Sequence, residues 1–157
     1  MKLMIRLMLA ACLVLPFAAC KKEEEVKVEK APVAAPKTDD KAAWQDYLND
    51  QVPRHMEGIT NSPYVYRVPA QDQDGYERLL EKAKMDVASG IVKGNILAYA
   101  GLDPTKTADM IVTAFEGVTP NTMKGVRVVF IGDAANSERV KAAVEPAGVE
   151  YVFVEAK

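Results

Sequence analysis

From residue 64 to the end of the chain, short apolar runs of strand length alternate with segments of helical periodicity. The runs cover residues 64–68, 96–100, 126–131 and 149–154. Between them, apolar residues recur every three or four positions, which is the spacing of a helix with one buried face. Strands that alternate with helices favour right-handed βαβ units, so the pattern predicts a single small α/β domain with a four-stranded, mostly parallel sheet. The order of the strands is left open.

Capping residues and helix breakers predict where the three crossover helices begin. The first is expected at residues 74–88, with a capping box that starts at Asp74. Asp103 is expected to cap the second helix because Pro104 follows it at the first helical position. Asn136 or Ser137 is expected to cap the third.

A short additional helix is predicted at residues 42–48, before the first strand. Trp44 lies on its apolar face and is expected to dock the helix on the domain. Tyr64 and Tyr66 share one face of the first strand because side chains alternate along a strand. We expect these two tyrosines to pack beneath the helix beside Trp44. The alternative is that they form a contact surface for a partner, since tyrosine is enriched at interfaces.

The first twenty residues have the anatomy of an export signal. Lys2 and Arg6 are the positive charges, residues 7–17 are the apolar region, and two alanines precede Cys20. The segment that ends Phe-Ala-Ala-Cys resembles the lipobox of bacterial lipoproteins. This resemblance implies a signal peptide at residues 1–19, cleavage before Cys20, and a lipid on the Cys20 side chain that anchors the protein in a bilayer. No family is recognised for the globular part.

There are three alternative interpretations of this segment, and two of them fit its length less well. Phe17 stands where the lipobox usually has leucine, and the residues before Cys12 match the local pattern better. A cut before Cys12, however, leaves an apolar region shorter than the roughly 7–15 residues of a signal. An ordinary secretory signal cut near Ala19 would leave Cys20 as a free thiol. An uncleaved anchor would need about 20 apolar residues, more than are present.

The residue after the cysteine bears on which membrane holds the anchor. In the best-known sorting rule for bacterial lipoproteins, aspartate at this place retains the protein in the inner membrane. Lys21 therefore implies the outer membrane, with the domain on its periplasmic face. The inner membrane and a soluble periplasmic form are the alternatives.

Residues 21–40 are dominated by charge, contain two prolines and lack aromatic side chains. Such a segment cannot bury enough apolar surface to order itself, so it is expected to be a disordered tether. The chain then divides into a signal peptide at 1–19, the lipidated cysteine and its tether at 20–40, and an α/β domain at 41–157.

Charge and cysteine content exclude several function classes. The chain carries 20 basic and 22 acidic residues, a net charge of −2 that becomes about −4 when Lys2 and Arg6 leave with the signal. Nucleic acid is therefore not an expected partner, because its binding needs a basic patch. Cys12 and Cys20 are the two cysteines, so the domain can form no disulfide and has no thiol nucleophile.

Carboxylates follow three of the predicted strands. Asp103 and Asp133 come after the second and third, and Glu155 ends the fourth. If the strands are parallel, the three side chains lie along one edge of the sheet. They could bind a small ligand or a hard cation, or act as acid and base. The plainer explanation for the two aspartates is that each caps a helix.

Other motifs are weaker. Residues 130–136 hold one glycine where a dinucleotide loop needs three. Residues 70–81 match an EF-hand loop in part, but Ala70 stands at the first ligand position. His55 is the one histidine, and no nucleophile motif accompanies Ser62, Ser89 or Ser137. We therefore predict no catalytic residue, metal site or cofactor.

Two functions follow as hypotheses. The first is a membrane-anchored periplasmic lipoprotein without enzymatic activity that binds another envelope protein or peptidoglycan. The alternative is a small-ligand binder or modest enzyme that uses the sheet edge near Asp103 and Asp133.

Overall fold

Four parallel strands form one sheet, in the computed structural model of the chain, which describes residues 31–157. The predicted signal peptide, Cys20 and the predicted tether up to residue 30 lie outside the described residues. The strands are β1 (Tyr64–Val68), β2 (Ile96–Gly101), β3 (Arg127–Gly132) and β4 (Glu150–Glu155). Their order in the sheet follows the chain, β1-β2-β3-β4. The predicted α/β class and the four parallel strands are confirmed.

Helices precede the sheet and join its strands. They are α1 (Lys41–Arg54), α2 (Gln73–Ala88), α3 (Pro104–Ala114) and α4 (Ala134–Val144), and a 3₁₀ turn at Glu145–Ala147 follows α4. None of the helices in residues 31–157 has the length and hydropathy needed to cross a membrane.

Aspartates cap all four helices, which corrects two of the expected boundaries. Asp72, not Asp74, caps α2 by accepting a hydrogen bond from the Gly75 amide. Asp133, and not Asn136 or Ser137, caps α4. The helix after β3 therefore begins directly at the end of that strand.

The two faces of the sheet carry separate apolar cores. On one face, side chains of α2, α3 and α4 pack against alternate strand residues, among them Tyr66, Tyr99 and Phe130. On the other face, Trp44 and its neighbours in α1 pack against β2 and β3. Consecutive strand order with right-handed crossovers places all crossover helices on one side, which leaves the second side to α1.

Residues 31–40, which the sequence assigns to a disordered tether, lie against the domain. The Val33 amide donates to the Asp50 side chain in α1, and the Ala35 amide donates to the carbonyl of Lys157. Val33 and Ala35 also pack against the core on the α1 face. We call residues 31–40 the strap. It accounts for part of the burial of β4, whose apolar side chains remain half-buried.

Candidate functional site

The carboxyl edge of the sheet brings Asp103 and Asp133 to the ends of neighbouring strands, and each caps a helix. Asp103 accepts a hydrogen bond from the Lys106 amide at 3.0 Å. Asp133 accepts from the amide and the side chain of Asn136 at 3.0 and 2.7 Å. Glu155 lies at the same edge in β4 and pairs with Lys157 at 2.6 Å. All three carboxylates therefore lie at one edge of the parallel sheet, and each has a nearby hydrogen-bond or ion-pair partner.

Lys106 lies across this edge between β1 and β2. Its Nζ atom donates to the carbonyl of Ala70 at 3.0 Å and lies 4.9 Å from the centroid of the Tyr76 ring. The amino-terminal ends of α2, α3 and α4 face the same edge, and each already carries a capping aspartate. A phosphate site at a helix N-terminus offers unpaired backbone amides to the anion. At this edge the capping carboxylates occupy those amides and would repel an anionic ligand.

The strand order removes the usual reason for a ligand crevice at this edge. In open α/β sheets, ligands bind where the strand order reverses and neighbouring crossovers leave on opposite faces. The order β1-β2-β3-β4 contains no reversal. Four concavities within residues 31–157 lie elsewhere, at the ends of α2 and α3, beside Val92, between α1 and β1, and around Arg127.

The partial EF-hand segment is not a loop. Residues 73–81 belong to α2, with Asp74 in its first turn and Glu81 further along the helix. Within residues 31–157, no group of three histidine, cysteine, aspartate or glutamate side chains is placed to hold a metal ion.

His55 directly follows α1 and lies beside a small cluster of basic and acidic side chains. Arg127 Nη1 donates to the carbonyls of His55 and Glu57 at 2.6 and 3.0 Å, and Nη2 contacts Glu150 at 2.8 Å. Burial lowers the pKa of His55 below its ordinary value of 6.5, and the charges of Arg127 and Arg54 lower it further. The imidazole is therefore neutral near pH 7 in a structural cluster.

Two of the three candidate serines, Ser89 and Ser137, make structural contacts. The Ser89 hydroxyl donates to the carbonyl of Asp86, and the Ser137 hydroxyl lies 3.0 Å from the hydroxyl of Tyr151. The first bond closes the end of α2, and the second joins α4 to β4. Neither serine is presented to His55 as a catalytic dyad requires.

The two tyrosines of β1 face α2, not the N-terminal helix, so the expected packing beside Trp44 is wrong. Tyr66 is buried, stacks on Tyr99 with ring centroids 4.4 Å apart, and donates to Asp86 at 2.6 Å. Burial raises the pKa of both stacked phenols well above the ordinary tyrosine value. Tyr64 is half-buried at the start of the strand.

An apolar groove lies between α1 and the edge strand β1. The alternation of side chains along β1 does not by itself predict this groove. Val65 is 40% exposed and lies on its wall. Pro63 also borders a second concavity, of about 480 Å³, that includes Tyr64 and Val92. Pro63 lines both concavities, and we call the two together the β1 groove. Its α1 wall consists of Leu48, Val52, Pro53 and Met56, together with polar Gln45 and Asn49.

Comparisons with protein-family models, with curated proteins and with solved structures find no match to this chain. The candidate sites therefore rest on the geometry and chemistry of its own residues.

Proposed function

We propose that this chain is a lipoprotein of the bacterial envelope, anchored through Cys20, whose α/β domain binds another protein in the periplasm. The observation that carries the proposal is the sequence of the first twenty residues. Positive charge, an apolar region and small residues precede Cys20 in the order of a lipoprotein signal. Lys21 supports an outer-membrane location.

The chemistry of the β1 groove supports a protein partner over peptidoglycan. Leu48, Val52 and Val65 give it an apolar wall, which suits the apolar side chains of a polypeptide better than a glycan. Val65 and Val92 are exposed apolar side chains, and each lines a concavity that Pro63 also lines.

Binding without catalysis is supported by the carboxyl edge of the sheet. Asp103 and Asp133 accept capping hydrogen bonds there, and the strand order has no reversal of the kind that usually forms a ligand crevice. The competing function, a small-ligand binder at that edge, would have to displace these caps.

Photocrosslinking in intact cells tests the partner surface. A photoreactive amino acid at Val65 is expected to capture one discrete envelope protein. Met85 is a matched control, because it is apolar and 64% exposed on α2 but lies outside the β1 groove. Equal crosslinking patterns from the two positions, or none from Val65, would contradict the proposed surface.

A further inference from the structure

A cleft of about 540 Å³ lies where α2 and α3 end, at the opposite end of the domain from Asp103 and Asp133. Val87 and Ala114 are buried in its floor, and Val118 is half-buried there. Thr113, Thr119 and Thr122 also line it, and the Thr122 hydroxyl donates to the carbonyl of Thr119. Its volume falls within the range of small-molecule sites, which are typically about 300–1,000 Å³.

The loop that forms one wall of this cleft is long and held in place. Residues 115–126 connect α3 to β3, whereas such connections usually have about 2–6 residues. The amides of Asn121 and Met123 donate to the carbonyls of Pro146 and Ala147, both at 2.9 Å. Met123 is buried, so the loop is pinned to the core at its centre. The cleft is therefore preformed and not dependent on loop closure.

Charges of both signs line the cleft. The carboxyl ends of α2 and α3 meet there, and each end carries a partial negative charge that attracts cations. The Glu116 carboxylate, on the α3 side, adds a full negative charge, while Lys84 stands on the α2 side. Lys84 Nζ lies 3.3 Å from Glu81, but both side chains are exposed and such pairs are weak.

We propose that this cleft binds a small zwitterion of the amino-acid or short-peptide class. The ammonium group of the ligand would lie toward Glu116 and the carboxyl ends of the two helices. Its carboxylate would pair with Lys84 in place of Glu81. The apolar floor would contact the aliphatic part of the ligand, and the threonine hydroxyls would hydrogen-bond its peptide groups. This site is separate from the β1 groove and does not depend on the lipid anchor.

Calorimetry with triglycine tests the proposal on the full-length chain purified in detergent. We expect saturable binding, with backbone amide shifts in nuclear magnetic resonance that map to residues 113–122 and to the end of α2. Ethylenediamine and succinate, which carry only one sign of charge, are expected to bind more weakly. Lys84→Met and Glu116→Gln are each expected to weaken binding of triglycine about fivefold.

Matched controls separate loss of the site from loss of the fold. Glu77→Gln removes an exposed carboxylate of α2 that lies outside the cleft, and it should leave binding unchanged. Absence of binding at about 10 mM triglycine, shifts that map elsewhere, or unchanged affinity in both cleft variants would overturn the proposal. Ethylenediamine binding as tightly as triglycine would also overturn it. Thermal melts of all variants confirm that each is folded.

Discussion

At the scale of single residues, Arg127 joins the end of α1 to the start of two strands. Its guanidinium donates to two carbonyls beyond α1 and contacts Glu150 in β4. Its Nε atom is buried and has no hydrogen-bond partner among the described residues. The fixed positive charge of Arg127 disfavours a second positive charge on His55, whose pKa is lowered first by burial and then by this arginine.

The lowered pKa of His55 predicts a loss of stability in mild acid. Because the folded state disfavours the proton, unfolding takes one up, and stability falls as the pH drops through 6.5 toward the lower folded pKa. We expect a lower urea midpoint at about pH 5.5 than at about pH 7.5. Since His55 is the one histidine, His55→Gln should lose most of this difference. A wild-type midpoint that is unchanged or higher in acid would contradict the account.

The tyrosines of β1 show what a strand pattern leaves undetermined. A period of two places Tyr64 and Tyr66 on one face, but it does not say which helices cover that face. The answer depends on strand order and crossover handedness, which together place α2, α3 and α4 on the side of Tyr66. The strands themselves were predictable to within one residue at each end, because their apolar runs are bounded by charged or turn residues.

At the scale of elements, each of the four helices begins directly after a capping aspartate. Asp133 is one of the candidate site residues, and its position directly after β3 makes it the cap of α4. The local sequence also offers Asn136 and Ser137 as caps. The residue at which β3 ends determines which of these three residues caps α4. Sequence alone predicts the boundaries of an element less well than its type.

Substitution at Asp103 tests whether its hydrogen bond or its charge stabilises the start of α3. Asparagine caps helices about as well as aspartate, so Asp103→Asn should leave stability nearly unchanged. Asp103→Ala removes the bond to the Lys106 amide and should cost about 1 kcal/mol of unfolding free energy. Urea denaturation measures both variants. A large loss in the asparagine variant, matching that of alanine, would show that the charge itself is needed.

The composition of the strap does not predict that it packs against the domain. Proline and charge predict disorder through residue 40, yet Asp39 binds one group in β1 and one just after that strand. Its carboxylate accepts from Arg67 Nη1 and from the Ala70 amide, both at 2.9 Å. The Trp44 indole also donates to the carbonyl of Thr38. Contacts between segments distant in sequence leave no local signature in the strap itself.

Removing the Asp39 carboxylate should release the strap. We expect Asp39→Ala to cost about 1–2 kcal/mol, because two hydrogen bonds to the carboxylate are lost. Hydrogen exchange at the Ala70 amide should accelerate, since that amide loses its acceptor. Asp46→Ala, at an exposed position of α1, is the control and should change neither quantity. Unaltered exchange at Ala70 in the Asp39 variant would rule out this role.

At the scale of the whole molecule, the strap bears on the length of the tether proposed to follow Cys20. Residues 21–40 could extend about 65–70 Å if all were free. With Val33 bonded to Asp50, residues 21–32 limit the distance from Cys20 to Val33 to about 40 Å. The proposed anchor and the partner surface of the domain are thus linked by a shorter tether than composition alone implies.

Intact-mass measurement of the protein purified from bacterial membranes tests the proposed lipid anchor at Cys20. The proposal predicts a mature chain that begins at Cys20 and carries added lipid mass on that residue. A Cys20→Ser variant should lack the added mass and leave the membrane fraction. A wild-type chain that begins elsewhere, or that carries no lipid, would contradict the account.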